Sequence, residues 1–192
     1  MRQAVERIYE NDERVLPQTV LHHKARYYMI QKGKGRALDL GCGTGYGTEF
    51  MRLQGYKTIG VDCSKEAIKY AKKHYPINTF IVSKIQNFKF EEYDLITFFE
   101  VIEHISYRDD IVAIKKCYKA LKKGGIFMLS VPRDSNPIYN KFHISQWGYP
   151  TILGALSMFF TKVNCLGQDW ETGLVSDKNI LKNDFYIFIC EK

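Results

Sequence analysis

The sequence predicts an α/β fold in which helices cover both faces of a mostly parallel sheet. Strand and helix signals alternate along the chain almost without interruption, which favours parallel β-α units over a helical bundle or a sandwich. A chain of 192 residues, 45% of them hydrophobic, can bury one core. We therefore expect one domain over residues 1–192, with a cap segment at 1–35, a ligand-binding half at 36–131, and a loop, helix and terminal strands at 132–192.

The first five strands are short apolar runs bounded by turn signals. Between them apolar residues recur at helical spacing, with Ser64 and Ser106 as the expected N-caps and Gly124-Gly125 as a helix stop. We expect strands at 36–40, 57–61, 79–82, 93–98 and 125–131, and helices at 19–31, 45–54, 64–74 and 107–122.

The end of the chain follows a different pattern. Residues 132–143 carry two prolines and no hydrophobic period, which predicts a loop, and 145–160 has the apolar spacing of a helix. Two strands follow, at 162–166 and 184–190. The residues between them are too polar and too few for a crossover helix, so the last strand should insert antiparallel.

Charge and cysteine content limit the class of protein. The formal net charge is +7, and many lysines lie on the polar face of the predicted helix at 107–122. A solvated helix face is the simpler interpretation, and a polyanionic substrate is the alternative. Five scattered cysteines without C-x-x-C spacing predict reduced thiols and no structural zinc. Because there is no long apolar run and no signal-peptide pattern, we expect a soluble, cytoplasmic protein.

A glycine-rich turn follows the first strand directly. Glycines occupy alternate positions from Gly41 to Gly47, and glycine permits a sharp turn against which a ligand can lie. Asp62 ends the second strand, where a carboxylate can accept hydrogen bonds from ribose hydroxyls. A dinucleotide fingerprint needs a small residue where this chain has Tyr46. The spacing therefore favours an adenosyl ligand without a pyrophosphate.

The segment Leu38-Asp39-Leu40-Gly41-Cys42-Gly43-Thr44-Gly45 resembles motif I of the class I S-adenosylmethionine-dependent methyltransferases. Further segments match in order over most of the chain, and the resemblance implies a Rossmann-like sheet of seven strands with a reversed last strand. It also implies S-adenosyl-L-methionine as the cofactor. The residues that it assigns to cofactor binding are Asp39, Gly41, Cys42, Gly43, Gly45, Asp62, Cys63, Ser83, Ile85 and Glu100.

Within that set, the resemblance gives each end of the cofactor its own residues. The glycine turn would line the methionine end, Asp62 would hold the ribose and Cys63 would touch the adenine. Family members typically show an acid for the adenine amino group, but this chain has Ser83-Lys84-Ile85-Gln86, and lysine cannot accept a hydrogen bond. Adenine recognition would then fall to backbone groups, to Ser83 or to Gln86, with Ile85 packing on the ring.

An E-x-x-E-H pattern, Glu100 to His104, follows the fourth strand. It resembles the subset that includes ubiquinone-pathway O-methyltransferases and small-RNA 2′-O-methyltransferases. Three interpretations stay open. These side chains close the cofactor pocket and fix the loop; or His104 is a general base; or Glu100, Glu103, His104 and His143 bind Mg²⁺ or Mn²⁺.

The fifth strand and the Phe142-His143 pair after it also resemble the family, and this resemblance implies that the loop between them faces the methyl acceptor. The expected acceptor-facing residues are Arg133, Tyr139, Asn140, Lys141, Phe142, His143 and Trp147. His143 is a second candidate base, with a helix-start role as its alternative. Together with His104 and Glu100 it makes up the candidate catalytic set.

Two histidines near the expected reaction centre favour transfer to oxygen, since an oxygen acceptor must lose a proton. The favoured function is O-methylation of a small polar metabolite or a sugar unit. An RNA 2′-O-methyltransferase with a divalent metal is one alternative. A non-catalytic cofactor-binding regulator or partner subunit is another.

Overall fold

The computed structural model describes residues 17–133, 143, 145, 147–170 and 172–192. The chain divides into two compact units, the first running to Phe88 and the second beginning at Lys89. No helix in the described ranges combines the length and the apolar character that crossing a bilayer requires.

The first unit alternates helices and strands. Its three strands pair in parallel in the order β3-β2-β1, with Leu38 opposite Ile59 and Gly60 opposite Phe80. The predicted strands are therefore confirmed to within one residue. In chain order the elements are α1 (Pro17–Tyr28), β1 (Arg36–Leu40), α2 (Tyr46–Leu53), β2 (Lys57–Asp62), α3 (Lys65–His74) and β3 (Thr79–Val82).

Helix α3 shows how the sequence sets these elements. The Ser64 hydroxyl accepts a hydrogen bond from the Ala67 main-chain N–H over 3.1 Å, which confirms Ser64 as the N-cap. Ala67, Ile68 and Ala71 form the buried side of the helix. Ile68 and Ala71 pack with Phe80 of β3, and a fully buried side chain of the size of Ile68 contributes about 1.5 to 3 kcal/mol.

The second unit contains the remaining strands, in the order β4-β5-β8-β6-β7. Strands β4 and β5 are parallel, whereas β8 is antiparallel to both β5 and β6, so the predicted reversal of the last strand is confirmed. Buried aromatic residues, among them Phe98, Phe127 and Phe188, fill its core. The elements are β4 (Tyr93–Phe99), a 3₁₀ turn (Ile102–His104), α4 (Tyr107–Ala120), β5 (Leu121–Pro132), α5 (Tyr149–Ser157), β6 (Lys162–Gln168), β7 (Val175–Ser176), a second 3₁₀ turn (Ile180–Lys182) and β8 (Phe185–Glu191).

Three element predictions in this unit are corrected. Helix α5 begins at Tyr149, after a Gly148 N-cap, and not at Ser145, because the Ser145 side chain bonds elsewhere. Helix α4 ends at Ala120 and strand β5 begins at Leu121, which pairs with Tyr93 before a register shift, so Gly124-Gly125 lies inside the strand and does not stop the helix. The described residues hold eight strands instead of seven, because the short strand β7 pairs with the end of β6.

Candidate active site

The turn after β1 depends on three glycines. Gly41, Gly43 and Gly45 have φ angles of 72°, 52° and 86°, a region that side chains with a Cβ rarely adopt. The main-chain N–H groups of Gly41 and Cys42 donate to the Val61 carbonyl over 2.8 and 3.1 Å, which ties the turn to β2. At Gly45 a Cβ would lie 2.7 Å from the Phe80 ring. The turn therefore requires glycine both for its conformation and for its packing.

Asp62 joins this turn to the end of β2. One carboxylate oxygen accepts from the Gly43 N–H over 2.9 Å, and the other accepts from the Ser64 N–H over 2.8 Å. Burial raises the pKa of the Asp62 carboxyl, and hydrogen bonds from the Ser64, Gly43 and Cys63 N–H groups and from the Cys63 thiol oppose that rise. Asp62 therefore joins the turn to the start of α3, at the strand tip where a ribose-binding carboxylate is expected.

Asp39 is fully buried in β1, the strand that leads into the same turn. Its two oxygens accept from the Tyr27 hydroxyl over 2.9 Å and from the Thr48 hydroxyl over 2.8 Å. Burial and the Asp39 charge together raise the pKa of Tyr27. The Tyr27 ring fills the space beside Gly47, where a Cβ would come within 2.1 Å of it. Asp39 therefore joins α1 and α2 to the end of β1, next to the turn.

The residues expected around adenine lie at the ends of β2 and β3. Cys63 is exposed and follows Asp62, whereas Ser83 and Ile85 are half-buried. The Ser83 N–H donates to the Asp62 carbonyl over 2.9 Å, so Ser83 lies beside Asp62. The Cys42 side chain packs with Ile68, Ala71 and Phe80, which leaves Cys42 with its main chain for a ligand.

Glu100 is held in an unusual backbone conformation directly after β4. Its φ angle is 54°, in the left-handed region that a residue other than glycine adopts only at an energetic cost. The Glu100 N–H donates to the Ser130 carbonyl over 3.2 Å, and the Ser130 hydroxyl donates to Oε1 of Glu100 over 2.7 Å. Both contacts come from the buried strand β5, so they fix the direction of the Glu100 carboxylate.

Glu103, His104 and His143 form a compact group, called here the Glu-His-His cluster. One ligand atom of each residue lies within 4.8 Å of those of the other two. Glu103 is 2% exposed, and its Oε1 lies 3.9 Å from Nε2 of His104. The rings of His104 and His143 are 5.0 Å apart and nearly perpendicular. Burial, and secondarily the neighbouring His104, lower the pKa of His143.

The Glu-His-His cluster contains three of the four predicted metal ligands. Glu100, the fourth, does not belong to this group among the described residues. Around a divalent ion, ligand atoms bound at about 2.1 Å lie about 3.0 to 3.4 Å from their neighbours. The observed spacing of up to 4.8 Å is wider, so the three side chains are close together but are not at metal-ligand spacing.

Ser145 was missed by the sequence reasoning, which gave it only a helix start. It is buried, and its hydroxyl lies 3.1 and 3.2 Å from the carbonyls of Ile102 and Ile105. Its N–H donates to the Glu103 carbonyl over 3.2 Å. Ser145 therefore fastens the 3₁₀ turn that carries His104 to the segment that carries His143. No feature of the local sequence indicates this contact.

The predicted acceptor-facing residues differ in their burial and in their contacts. Arg133 is half-buried after β5, where its N–H donates to the Asp184 carbonyl over 2.8 Å. Trp147 is 3% exposed and its indole N–H donates to the Ser145 hydroxyl over 3.2 Å, so its ring packs inside the unit. The rest of the predicted set lies outside the described residues: Tyr139, Asn140, Lys141 and Phe142.

Comparison with known families decides the class of protein. A family model described as a methyltransferase domain matches residues 11–174. The chain belongs to this methyltransferase family. The resemblance to the S-adenosylmethionine-dependent methyltransferases inferred from the sequence is thus confirmed, whereas the subset indicated by the E-x-x-E-H pattern stays a prediction.

Among curated methyltransferases, the ubiquinone biosynthesis O-methyltransferase of Vibrio cholerae is 31% identical over 119 residues. The match covers 56% of this chain and 48% of that protein, so the chain spans about half the length of the curated relatives it matches.

Solved methyltransferase structures cover far more of the chain. The N-methyltransferase NodS of Bradyrhizobium japonicum, solved with S-adenosyl-L-homocysteine, has a TM-score of 0.74 at 20% identity, over 99% of this chain and 97% of that one. A SAM-dependent methyltransferase of Archaeoglobus fulgidus has a TM-score of 0.74 at 18% identity, over 91% and 94%. These likenesses show a shared Rossmann-like fold.

Proposed function

We propose that this chain transfers a methyl group from S-adenosyl-L-methionine to an oxygen atom of a small polar metabolite or a sugar unit. The observation that carries the proposal is the Asp62 carboxylate at the tip of β2, which the Gly43 N–H binds to the glycine turn over 2.9 Å, the arrangement in which a ribose diol is held beside a glycine-rich turn. Family membership supports the reaction, since the matching model describes a methyltransferase domain.

The residues of the first unit fit the proposed cofactor. The main chain of the glycine turn would lie against the ligand, Asp62 would accept the ribose hydroxyls, and Cys63, Ser83 and Ile85, which follow β2 and β3, would contact the adenine. When bound, the cofactor supplies a methyl group on a positively charged sulfur, which a nucleophile attacks in line. The protein then contributes mainly alignment and the exclusion of water.

The second unit supplies the proposed proton acceptors. An oxygen acceptor must lose a proton as it is methylated, and a neutral imidazole can take it. The lowered pKa of His143 keeps this ring neutral at physiological pH, which suits it to the role of base. The His104 ring lies next to the His143 ring and is the second candidate base. Glu100, the third candidate, is oriented by a hydrogen bond from Ser130. An O-methyltransferase among the curated relatives supports an oxygen acceptor.

The test is methyl transfer by the purified chain. Incubation with S-adenosylmethionine labelled in its methyl group, together with a panel of hydroxylated metabolites and sugars, should give a labelled ether. His143→Asn should lower kcat by about 10²-fold or more while S-adenosylhomocysteine affinity stays unchanged. Cofactor binding without turnover on any acceptor would reject the enzyme and favour the non-catalytic regulator.

A second candidate is a metal-dependent RNA 2′-O-methyltransferase. The Glu-His-His cluster favours it, since three potential ligands lie within 4.8 Å of one another, and so does the net charge of +7. Activity on RNA should then disappear with a chelator, return with Mg²⁺ or Mn²⁺, and weaken steeply with salt because phosphate contacts release counterions. Activity that ignores both chelator and salt would remove this candidate.

A further inference from the structure

A row of cationic side chains lies on the solvent side of helix α4 in the second unit. Arg108, Lys115 and Lys119 are exposed there, and a further exposed lysine, Lys123, lies near the start of β5. We propose that these four residues, called here the α4 basic face, bind the phosphate backbone of a nucleic acid strand. The inference does not depend on which acceptor is methylated, because it concerns a surface outside the candidate active site.

The helical residues of the α4 basic face lie on one stripe. With 3.6 residues per turn, Arg108, Lys115 and Lys119 fall within about 40° of one another around the helix axis. From the first to the last of them the helix rises by about 16.5 Å, at 1.5 Å per residue. Phosphates along a nucleic acid strand also form a row, whereas a single phosphate needs donors that converge on one point. The shape of the face therefore fits a linear polyanion.

The side chains of the α4 basic face make no hydrogen bond or ion pair with other residues in the ranges that the structure describes. The lysines between them differ in this respect. Lys122 pairs with Asp94 at 3.0 Å. The Lys116 ammonium lies over the Phe90 ring, 5.8 Å from its centroid. The protein therefore supplies partners for these two lysines and leaves the charges of the α4 basic face to an external anion.

The stability of the helix does not account for this row. Lysines near a helix C-terminus are favourable when they offset the partial negative charge of the last carbonyls. In α4 the Lys192 side chain already does so, since its Nζ donates to the Leu121 carbonyl over 2.6 Å and to the Lys119 carbonyl over 3.3 Å. Lys115 and Lys119 are four residues apart, and like charges at that spacing destabilise a helix. A bound anion would remove this repulsion.

The charge of the segment has a uniform sign. Residues 111–125 contain five lysines and no aspartate or glutamate. A surface that only keeps a protein in solution usually mixes both signs, as α3 does by carrying Glu66 among its lysines. A cluster of lysines on one helix face is the electrostatic pattern of a surface that binds a polyanion.

The composition of the stripe favours a nucleic acid among polyanions. A helix that binds a membrane surface places large apolar side chains beside its cations, and a protein interface is centred on aromatic or apolar anchors. The apolar residue on this stripe is Val112, a small side chain that is 48% exposed. Contacts to phosphates need only cations, and they are independent of nucleotide sequence.

The α4 basic face runs along the strands of the second unit. Helix α4 begins after the 3₁₀ turn that follows β4 and ends where β5 begins, so it runs antiparallel to both strands. Arg108 therefore lies at the end of the unit where Glu100 follows β4, and Lys119 lies at the opposite end. A strand bound along the row would extend away from the Glu-His-His cluster over the outer side of the helix.

The test is fluorescence anisotropy of the full chain with labelled 20-nucleotide oligouridylate and with oligothymidylate of the same length. At least one strand should bind, and the ratio of the two affinities distinguishes RNA from DNA as the source of the phosphates. Four phosphate contacts to a single strand should give a slope of about −2.8 in log affinity against log salt, a loss of about 50-fold between 50 and 200 mM. Failure of both strands to bind would overturn the proposal.

A triple variant tests the α4 basic face itself. Arg108→Gln/Lys115→Gln/Lys119→Gln should weaken binding by about tenfold or more and reduce the salt slope by about 2, because three phosphate contacts are lost. Glutamine is a good helix former, so the thermal unfolding midpoint should stay close to that of the wild type. A variant that folds and binds as the wild type does would overturn the proposal.

A matched triple variant separates this face from net charge. Lys65→Gln/Lys69→Gln/Lys72→Gln removes the same charge from exposed positions of α3 in the first unit. Its affinity should stay within about twofold of the wild type, with the same salt slope. Equal losses in the two triple variants would show that binding follows net charge alone, which would overturn the assignment to α4.

Two further probes test the other classes of partner. Vesicles of phosphatidylcholine with phosphatidylserine represent an anionic membrane, and poly-L-glutamate represents an acidic protein. Each should bind at least tenfold more weakly than the oligonucleotides at equal concentration of charge. Tighter binding of either probe, lost in the α4 variant, would assign the face to that class and overturn the proposed nucleic acid.

Discussion

The main-chain N–H of Gly43 donates a hydrogen bond to the Asp62 carboxylate over 2.9 Å, so the turn after β1 and the tip of β2 form one structural element. The other Asp62 oxygen caps the Ser64 N–H at the start of α3. Both hydrogen bonds have a charged acceptor, and such hydrogen bonds are stronger than those between neutral groups. Asp62 therefore supports the loop and, in our proposal, binds the ribose.

Gly45→Ala should destabilise the fold. Its φ angle of 86° disfavours alanine, and the new Cβ would come within 2.7 Å of the Phe80 ring and 2.8 Å of the Ala71 Cβ. Left-handed strain and overpacking together should lower the free energy of unfolding by about 2 to 4 kcal/mol in urea denaturation. Gly154→Ala is the matched control. It lies in α5 with nothing within 4 Å of its Cβ, so it should raise stability by about 0.5 to 1 kcal/mol.

Tyr27→Phe should weaken the fold through Asp39. The change removes a hydroxyl that donates to a fully buried carboxylate over 2.9 Å, and a buried acceptor that loses a donor costs about 1 to 3 kcal/mol. Tyr28→Phe is the control, because Tyr28 is 60% exposed. Equal unfolding midpoints for the two variants would contradict the role assigned to the buried hydroxyl.

The protonation of His143 should depend on its contact with the His104 ring. Burial and His104 lower the pKa of His143, so the folded state binds fewer protons than the unfolded state as pH falls below the ordinary value of 6.5. Stability should therefore decline as pH drops from 6.5 through the lowered pKa, and be complete above 6.5. In proton NMR of the rings, His104→Asn should move the pKa of His143 upward toward its ordinary value. An unchanged midpoint would show that the rings do not interact.

Ser145→Ala should loosen the Glu-His-His cluster. The hydroxyl contacts the carbonyls of Ile102 and Ile105 and accepts a hydrogen bond from the Trp147 indole. The substitution would remove all three contacts. The free energy of unfolding should fall by about 1 to 3 kcal/mol. The pKa of His143 should also rise, since its segment would separate from His104. Ser157→Ala, at an exposed position at the end of α5, should change neither quantity.

Local sequence signals predicted the first unit well. Short apolar runs, the glycine turn and the Ser64 cap act over a few residues, and they gave the strands of this unit to within one residue. The reversed last strand followed from the polar, short connection before it. What sequence reasoning did not find are the partners of Asp39, because Tyr27 lies twelve residues away on another element.

The second unit was harder because tertiary contacts override local preference there. Ser145 has the chemistry of an N-cap, yet its hydroxyl bonds to the carbonyls of a turn 40 residues or more earlier in the chain, so the helix starts later. Nothing in the sequence around Glu100 indicates its positive φ angle, and its hydrogen-bond partner Ser130 is 30 residues away on the neighbouring strand. The E-x-x-E-H pattern indicated Glu103 and His104 as candidate site residues, and the structure places both beside His143.

The most direct measurement is calorimetric titration of the intact chain and of Asp62→Ala with S-adenosylhomocysteine. The wild-type chain should bind, and Asp62→Ala should lose about 2 to 4 kcal/mol of binding free energy, because a charged acceptor for two hydroxyls is gone. Asp94→Ala, which removes a surface carboxylate paired with Lys122 at 3.0 Å, should bind as the wild type does. Equal affinity in the wild type and Asp62→Ala would contradict the central claim that Asp62 and the glycine turn hold the adenosyl ligand.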